Sequence, residues 1–99
     1  MLETLNQDSF SRHLNETFRV HLQPGQSPLH GELVEVNSLR TSDDKHGRDP
    51  FSIIFRCDVR GPVNQGICKV EHDDLGVVEV FLVPIGRAGD GVRFEAVFA

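Results

Sequence analysis

Histidine and cysteine are the residues of this chain with the widest chemical repertoire, because imidazoles and thiolates bind metal ions and take part in nucleophilic catalysis. The five histidines stand at positions 13, 21, 30, 46 and 72, and no two have the i, i+2 or i, i+4 spacing that brings ligands together locally. His72 is followed by Asp73 and Asp74, a run that is typical of a hairpin turn in which an aspartate accepts backbone amides. The sequence therefore predicts no metal site and no cofactor.

The two cysteines, Cys57 and Cys68, fall on strand positions that are predicted to be packed. A catalytic thiolate needs partial exposure and a basic partner, so the pattern does not favour a thiol hydrolase. A disulfide between the two is an open alternative if their strands pair in the right register, but buried thiols are favoured. We therefore expect no catalytic residues and no enzymatic activity.

Composition narrows the classes of partner. Ten basic residues against fifteen acidic ones give a net charge of -5, and the arginines are scattered, so a phosphate backbone would be repelled. No segment approaches the eighteen apolar residues of a membrane span, and the N-terminus lacks the basic start and apolar run of a signal peptide. We expect a cytoplasmic protein that binds neither nucleic acid nor membranes.

The strongest structural signal is the stretch 66–84, where two apolar-rich arms flank a polar turn and predict a β-hairpin. Its second arm is apolar on both faces, which is typical of a central strand. A phase change near Leu33 predicts a β-bulge, and the absence of apolar side chains from 40–49 predicts a mobile loop. Alternating apolar and polar residues place the six strands at 16–23, 29–39, 51–57, 67–72, 77–83 and 92–98.

A short helix over 9–14 is predicted to precede the first strand. Asp8 can cap it by accepting first-turn amides, and Asn15 tolerates the left-handed conformation that ends helices. Phe10 and Leu14 share one face, and because so short a helix is not stable alone, we expect both to close an open end of the sheet. The prediction is a single all-β domain over 1–99, with about six antiparallel strands in a sandwich or a partly open barrel.

A family resemblance is carried by the stretches 8–10, 13–20, 50–56, 65–66, 71–72, 75–76, 81–86 and 95–98. Together they resemble a family of small bacterial proteins known only as a domain of unknown function. The resemblance covers nearly the whole chain and supplies no catalytic residues. It implies a role near a tail-like or fibrous assembly, since members of the family stand beside genes for proteins similar to phage tail-collar and microcystin-dependent proteins.

Two hypotheses of function follow. The first is a structural or protein-interaction module that docks on a protein partner, such as a tail-collar-like protein or a second copy of itself, through surplus apolar residues and exposed strand edges. The second is a small-ligand-binding β-barrel, with His72 and His21 as polar contacts at its mouth. The candidate partner-contact residues of the first hypothesis are Ile54, Val77, Phe81, Val83 and Val97.

Overall fold

Six strands that follow one short helix make up the computed structural model, which describes residues 6–22, 27–39, 50–59, 62–89 and 91–98. The elements are α1 (Gln7–Ser11), β1 (Thr17–His21), β2 (Leu29–Ser38), β3 (Phe51–Asp58), β4 (Gly66–His72), β5 (Gly76–Ala88) and β6 (Gly91–Phe98). The strands pair antiparallel in the order β1-β2-β3-β6-β5-β4, and pairing of β1 with β4 closes a barrel. The all-β class is confirmed, with a closed barrel rather than a sandwich. The loop predicted at 40–49 lies outside the described residues.

Strand alternation builds the interior of the barrel. Successive side chains point to opposite faces of a strand, so one set of each strand turns inward. In β3, for example, Phe51, Ile53, Phe55 and Cys57 all belong to the buried core. Phe18, Val20, Leu33, Val70, Leu82 and Phe94 fill the rest of the barrel together with smaller residues.

The helix α1 closes one end of the barrel, as predicted. Phe10 is completely buried, and its ring lies 5.5 Å from that of Phe98 and 5.9 Å from that of Phe51, centroid to centroid. The helix begins earlier than predicted because Asn6, not Asp8, is its N-cap and forms a capping box with Ser9. Leu14 stays exposed, so Phe10 alone fills the end of the barrel.

Register shifts occur in two strands. The one between Leu33 and Glu35 confirms the predicted bulge in β2. A second lies between Pro84 and Gly86, and it lets β5 continue to Ala88, whereas the sequence predicted a strand end at the proline. A proline has no amide to donate to a ladder, but a bulge tolerates it.

Candidate functional site

The outer face of β4, β5 and β6 carries a group of exposed apolar side chains. Of the five predicted partner-contact residues, Val77, Phe81 and Val97 are 47%, 50% and 58% exposed, and Val83 is half-buried. The expectation that β5 is covered on both faces is therefore wrong, because its outward side chains meet solvent. We call Ile67, Val77, Phe81, Val83, Ile85 and Val97 the outer apolar surface.

The register explains why these residues form one surface. Ile67 on β4 stands opposite Phe81 on β5. Val83 pairs with Glu95 on β6, and Val97 lies two residues beyond Glu95 on the same outward face of β6. Exposed apolar side chains of three neighbouring strands thus lie on one outer face of the barrel. Ile67, missed by the sequence reasoning, is the most exposed of them at 73%.

Ile54, the fifth predicted contact residue, is only 6% exposed and is not available to a partner. It lies on β3 opposite Glu35 on one side and Glu95 on the other. Arg93 Nη1 on β6 contacts Glu35 Oε2 on β2 at 3.2 Å, and because β3 lies between those two strands, this ion pair passes over it. The prediction for Ile54 is corrected because long charged side chains cover apolar surface with their stems.

A second group of side chains meets where the plugged end of the barrel borders the β4–β5 turn. We call it the histidine–carboxylate cluster, and it consists of His13, Glu16, His72 and Asp74. Glu16 Oε1 lies 2.9 Å from His13 Nδ1 and 2.8 Å from His72 Nε2, and the two imidazole centroids are 4.3 Å apart. The structure therefore brings together residues that lie far apart in the sequence.

Local backbone geometry positions this cluster. Asn15 has a positive φ of 71°, as predicted for the residue that ends the helical segment, and its amide donates to the Leu33 carbonyl at 2.7 Å. The Leu33 amide in turn donates to the Glu16 carbonyl at 3.0 Å. These two bonds fix the start of β1 against β2, so the Glu16 side chain is held beside His72 at the end of β4.

Hydrogen bonds within the cluster also define its protonation pattern. The Asp74 backbone amide donates to His72 Nδ1 at 3.0 Å, so the proton of this ring lies on Nε2 and is donated to Glu16. The buried His72 ring also packs on Phe18, with centroids 4.6 Å apart. Hydrogen bonds from His13 and then His72 lower the pKa of Glu16 below its ordinary value of 4.5.

A neighbouring ionic network lies on the outer face across β1 and β4. Glu71 Oε1 contacts His21 Nε2 at 3.1 Å and Arg19 Nε at 3.4 Å, and Arg19 Nη2 contacts Asp73 Oδ1 at 3.0 Å. The hydrogen bond from His21 and then that from Arg19 lower the pKa of Glu71. His21 is thus engaged on the outside of the barrel.

The two thiols are free and buried, so the disulfide alternative is not realised. Burial raises the pKa of Cys57 to about 11 and also raises that of Cys68. A thiol with so high a pKa carries almost no thiolate near neutral pH.

The profile of DUF6916, a domain of unknown function, matches residues 5–98. The chain belongs to this family. No curated protein and no solved structure matches it. The resemblance to a family of unknown function is confirmed for this DUF6916 domain, whereas bacterial origin and proximity to tail-collar proteins stay predictions.

A cavity of about 330 Å³ lies among residues at the β1–β2 and β3–β4 ends of the barrel. Neither His21 nor His72, which were predicted as polar contacts at the barrel mouth, is among its lining residues. The cavity is lined by Leu22, Ser27, Leu29, Val59, Pro62, Val63, Asn64, Gln65, Gly66 and Cys68.

In the described part of this DUF6916 domain, the only helix has five residues, and no helix is long and apolar enough to cross a membrane.

Proposed function

We propose that this DUF6916 domain is a non-enzymatic protein-interaction module, and that its outer apolar surface docks on another protein. The observation that carries the proposal is the exposure of Ile67, Phe81 and Val97 on the outer face of three adjacent strands. Half of the Phe81 side chain is exposed, which is about 100 Å² of the roughly 200 Å² that a phenylalanine can bury. An exposed apolar surface that contains a half-exposed aromatic side chain such as Phe81 is typical of protein interaction sites.

Docking would use side chains and not strand addition. Strand addition needs an unpaired sheet edge, but the ring order is closed, so each of the six described strands pairs on both sides. No described strand therefore has a free edge along its whole length, and the stretches without a neighbour on one side, such as 76–82 of β5, are parts of strands. A partner would instead lie flat on the convex outer face.

The charges around the surface favour a protein over other partners. Lys69 and Glu79 stand opposite each other one row from Phe81, and Glu95 borders Val83. A rim that carries both positive and negative side chains around an apolar centre is typical of protein interfaces. A phosphate-rich polymer or an anionic membrane would need a basic rim, and the net charge of -5 opposes both.

The other parts of the proposal rest on composition and resemblance. Two buried free thiols fit the reducing cytoplasm, and their raised pKa values make neither a good nucleophile. The resemblance described above adds that the partner belongs to a tail-like or fibre-like assembly in a bacterium.

Binding to the proteins encoded by adjacent genes tests the proposal. Replacing Phe81 with serine removes about 100 Å² of docking surface, worth about 2.5 kcal/mol at about 25 cal/mol per Å². The dissociation constant measured by calorimetry should therefore rise about 70-fold. Leu14→Ser is the matched control, because Leu14 is 41% exposed but lies outside this surface.

Two results would contradict the proposal. One is a wild-type protein that stays monomeric in analytical ultracentrifugation and binds none of the adjacent gene products. The other is equal binding by the wild type and by Phe81→Ser. Self-association that Phe81→Ser abolishes would identify the partner as a second copy of the chain.

The cavity at the β1–β2 and β3–β4 ends of the barrel favours a second candidate function, small-ligand binding. Its volume of about 330 Å³ is at the lower end of the range for ligand pockets. A fluorescent apolar probe such as anilinonaphthalene sulfonate should then bind with a stoichiometry of one. Leu29→Trp would fill part of the cavity and should displace the probe, and unchanged probe binding would eliminate this function.

A further inference from the structure

The histidine–carboxylate cluster has the composition of a metal site, and it is separate from the outer apolar surface. One potential ligand atom from each of His13, His72 and Asp74 lies within 4.8 Å of the other two. The residues come from three places in the chain, namely the turn after α1, the end of β4 and the β4–β5 turn. Closure of the barrel, and not local spacing, brings them together.

We infer that His13, His72 and Asp74 bind a divalent transition-metal ion, with Glu16 as the carboxylate that orients both imidazoles. Two imidazoles and one carboxylate form a donor set that suits zinc and its neighbours, whereas magnesium and calcium prefer oxygen ligands alone. Three protein ligands leave a fourth position for water or for a group from a partner.

The contacts of Glu16 fit this division of roles. Its Oε1 accepts from His13 Nδ1 and from His72 Nε2, so a ring that binds a metal in its neutral form offers the lone pair of the other nitrogen, His13 Nε2 or His72 Nδ1. A histidine that binds a metal through one nitrogen usually donates its other N–H to a carboxylate or carbonyl, which fixes the ring and strengthens the ligand. Glu16 performs this task for both rings at once.

Two changes would let the geometry hold the ion, namely an approach of the ligand atoms and release of the hydrogen bond from the Asp74 amide to His72 Nδ1. Zinc–nitrogen bonds of about 2.0–2.1 Å in a tetrahedral site place ligand atoms roughly 3.3 Å apart, so the ligands must approach by up to about 1.5 Å. His72 is buried against Phe18 and fixed, but Asp74 is exposed in a turn. Asp74 can move toward the ion when its amide releases His72 Nδ1.

Cobalt titration of the metal-stripped full chain tests the inference. Co²⁺ should bind with a stoichiometry of one and give the visible absorption bands of a four-coordinate site. The thiolate-to-cobalt charge-transfer band should be absent, because Cys57 and Cys68 are buried inside the barrel. Zn²⁺ should displace the cobalt, and at 100-fold above its dissociation constant it should raise the melting temperature by roughly 10 °C.

Adjacent carboxylates provide a matched pair of variants. Asp74→Ala removes a ligand and should weaken Co²⁺ binding more than about 100-fold, whereas Asp73→Ala removes only the contact with Arg19 and should leave affinity unchanged. Glu16→Gln keeps the ligands but loses the orienting carboxylate, so a reduction of about 10–100-fold is expected. His13→Ala should behave like Asp74→Ala, and circular dichroism confirms that each variant is folded.

Three outcomes would overturn the inference. The wild type could fail to bind Co²⁺ at millimolar concentration, it could bind with a thiolate charge-transfer band, or Asp74→Ala and Asp73→Ala could bind equally well. Asp74 is exposed, so its variant keeps the test decisive even if replacement of His13 prevents folding.

Discussion

Replacing Phe10 with alanine tests whether the helix α1 is an integral part of the barrel. The Phe10 side chain is completely buried and contacts the rings of Phe18, Phe51 and Phe98 at one end of the barrel. A buried phenylalanine replaced by alanine costs about 3–5 kcal/mol, from lost transfer free energy and from the cavity left behind. The five-residue helix has no stability of its own, so its packing on the barrel depends mainly on this ring.

This loss is large beside the total stability of about 5–15 kcal/mol expected for one domain. With an m-value of about 1–3 kcal/mol per molar urea, the midpoint of unfolding should fall by roughly 2 M. Trypsin provides a second readout, because Arg12 directly follows α1 and its peptide bond should become cleavable in the variant under native conditions.

Leu14→Ala is the control, because Leu14 belongs to the same segment but is 41% exposed. Its cost should stay below about 1 kcal/mol, as expected for a partly exposed side chain. A Phe10→Ala variant that unfolds within about 1 kcal/mol of the wild type, with Arg12 still protected from trypsin, would refute the view that α1 plugs the barrel.

Two further predictions concern stability. The lowered pKa of Glu16 means that its bonds to the two histidines stabilise the fold above the unfolded pKa of 4.5, and that this contribution is lost as pH falls through the lower folded pKa. In urea titrations between pH 6 and pH 3, Glu16→Gln should therefore lose less free energy of unfolding than the wild type. Parallel curves of unfolding free energy against pH would contradict this. A Cβ at Gly31 would lie 2.8 Å from Val20 Cγ2 and 3.0 Å from Cys57 Sγ, so Gly31→Ala should lower the free energy of unfolding by about 1–3 kcal/mol. A Cβ at Gly66 would meet open space, so Gly66→Ala should lower the free energy of unfolding clearly less in the same assay.

Local patterns predicted most of the strands. Period-two alternation places Phe51, Phe55 and Cys57 inside β3, and the phase change near Leu33 marks a real bulge. Pro84 misled the prediction, because its missing amide suggested a strand end and the accommodating bulge has no sequence signal of comparable strength. The sequence predicted Asp8 as the N-cap instead of Asn6, because asparagine and aspartate are both good N-cap residues. Only the contact of Asn6 with Ser9 distinguishes the two positions.

Features that depend on closure of the ring could not be predicted. The pairing of β1 with β4 joins residues about fifty positions apart, and neither strand carries a signal for the other. That pairing brings the start of β1 beside the end of β4, so the His13–His72 contact was missed. Ile67 could have been found by extending the predicted hairpin register across from Phe81, whereas the histidine contact had no local signal.

Among the described residues, the closing contact between β1 and β4 is also the shortest junction in the ring, with only Arg19, Val20 and His21 opposite Glu71, Val70 and Lys69. Opening of the barrel should therefore begin at this seam. The histidine–carboxylate cluster straddles it, with His13 and Glu16 on the β1 side and His72 and Asp74 on the β4 side. A ligand bound by all four residues would join β1 to β4 across this seam. Its binding would therefore slow the opening of the whole six-stranded barrel.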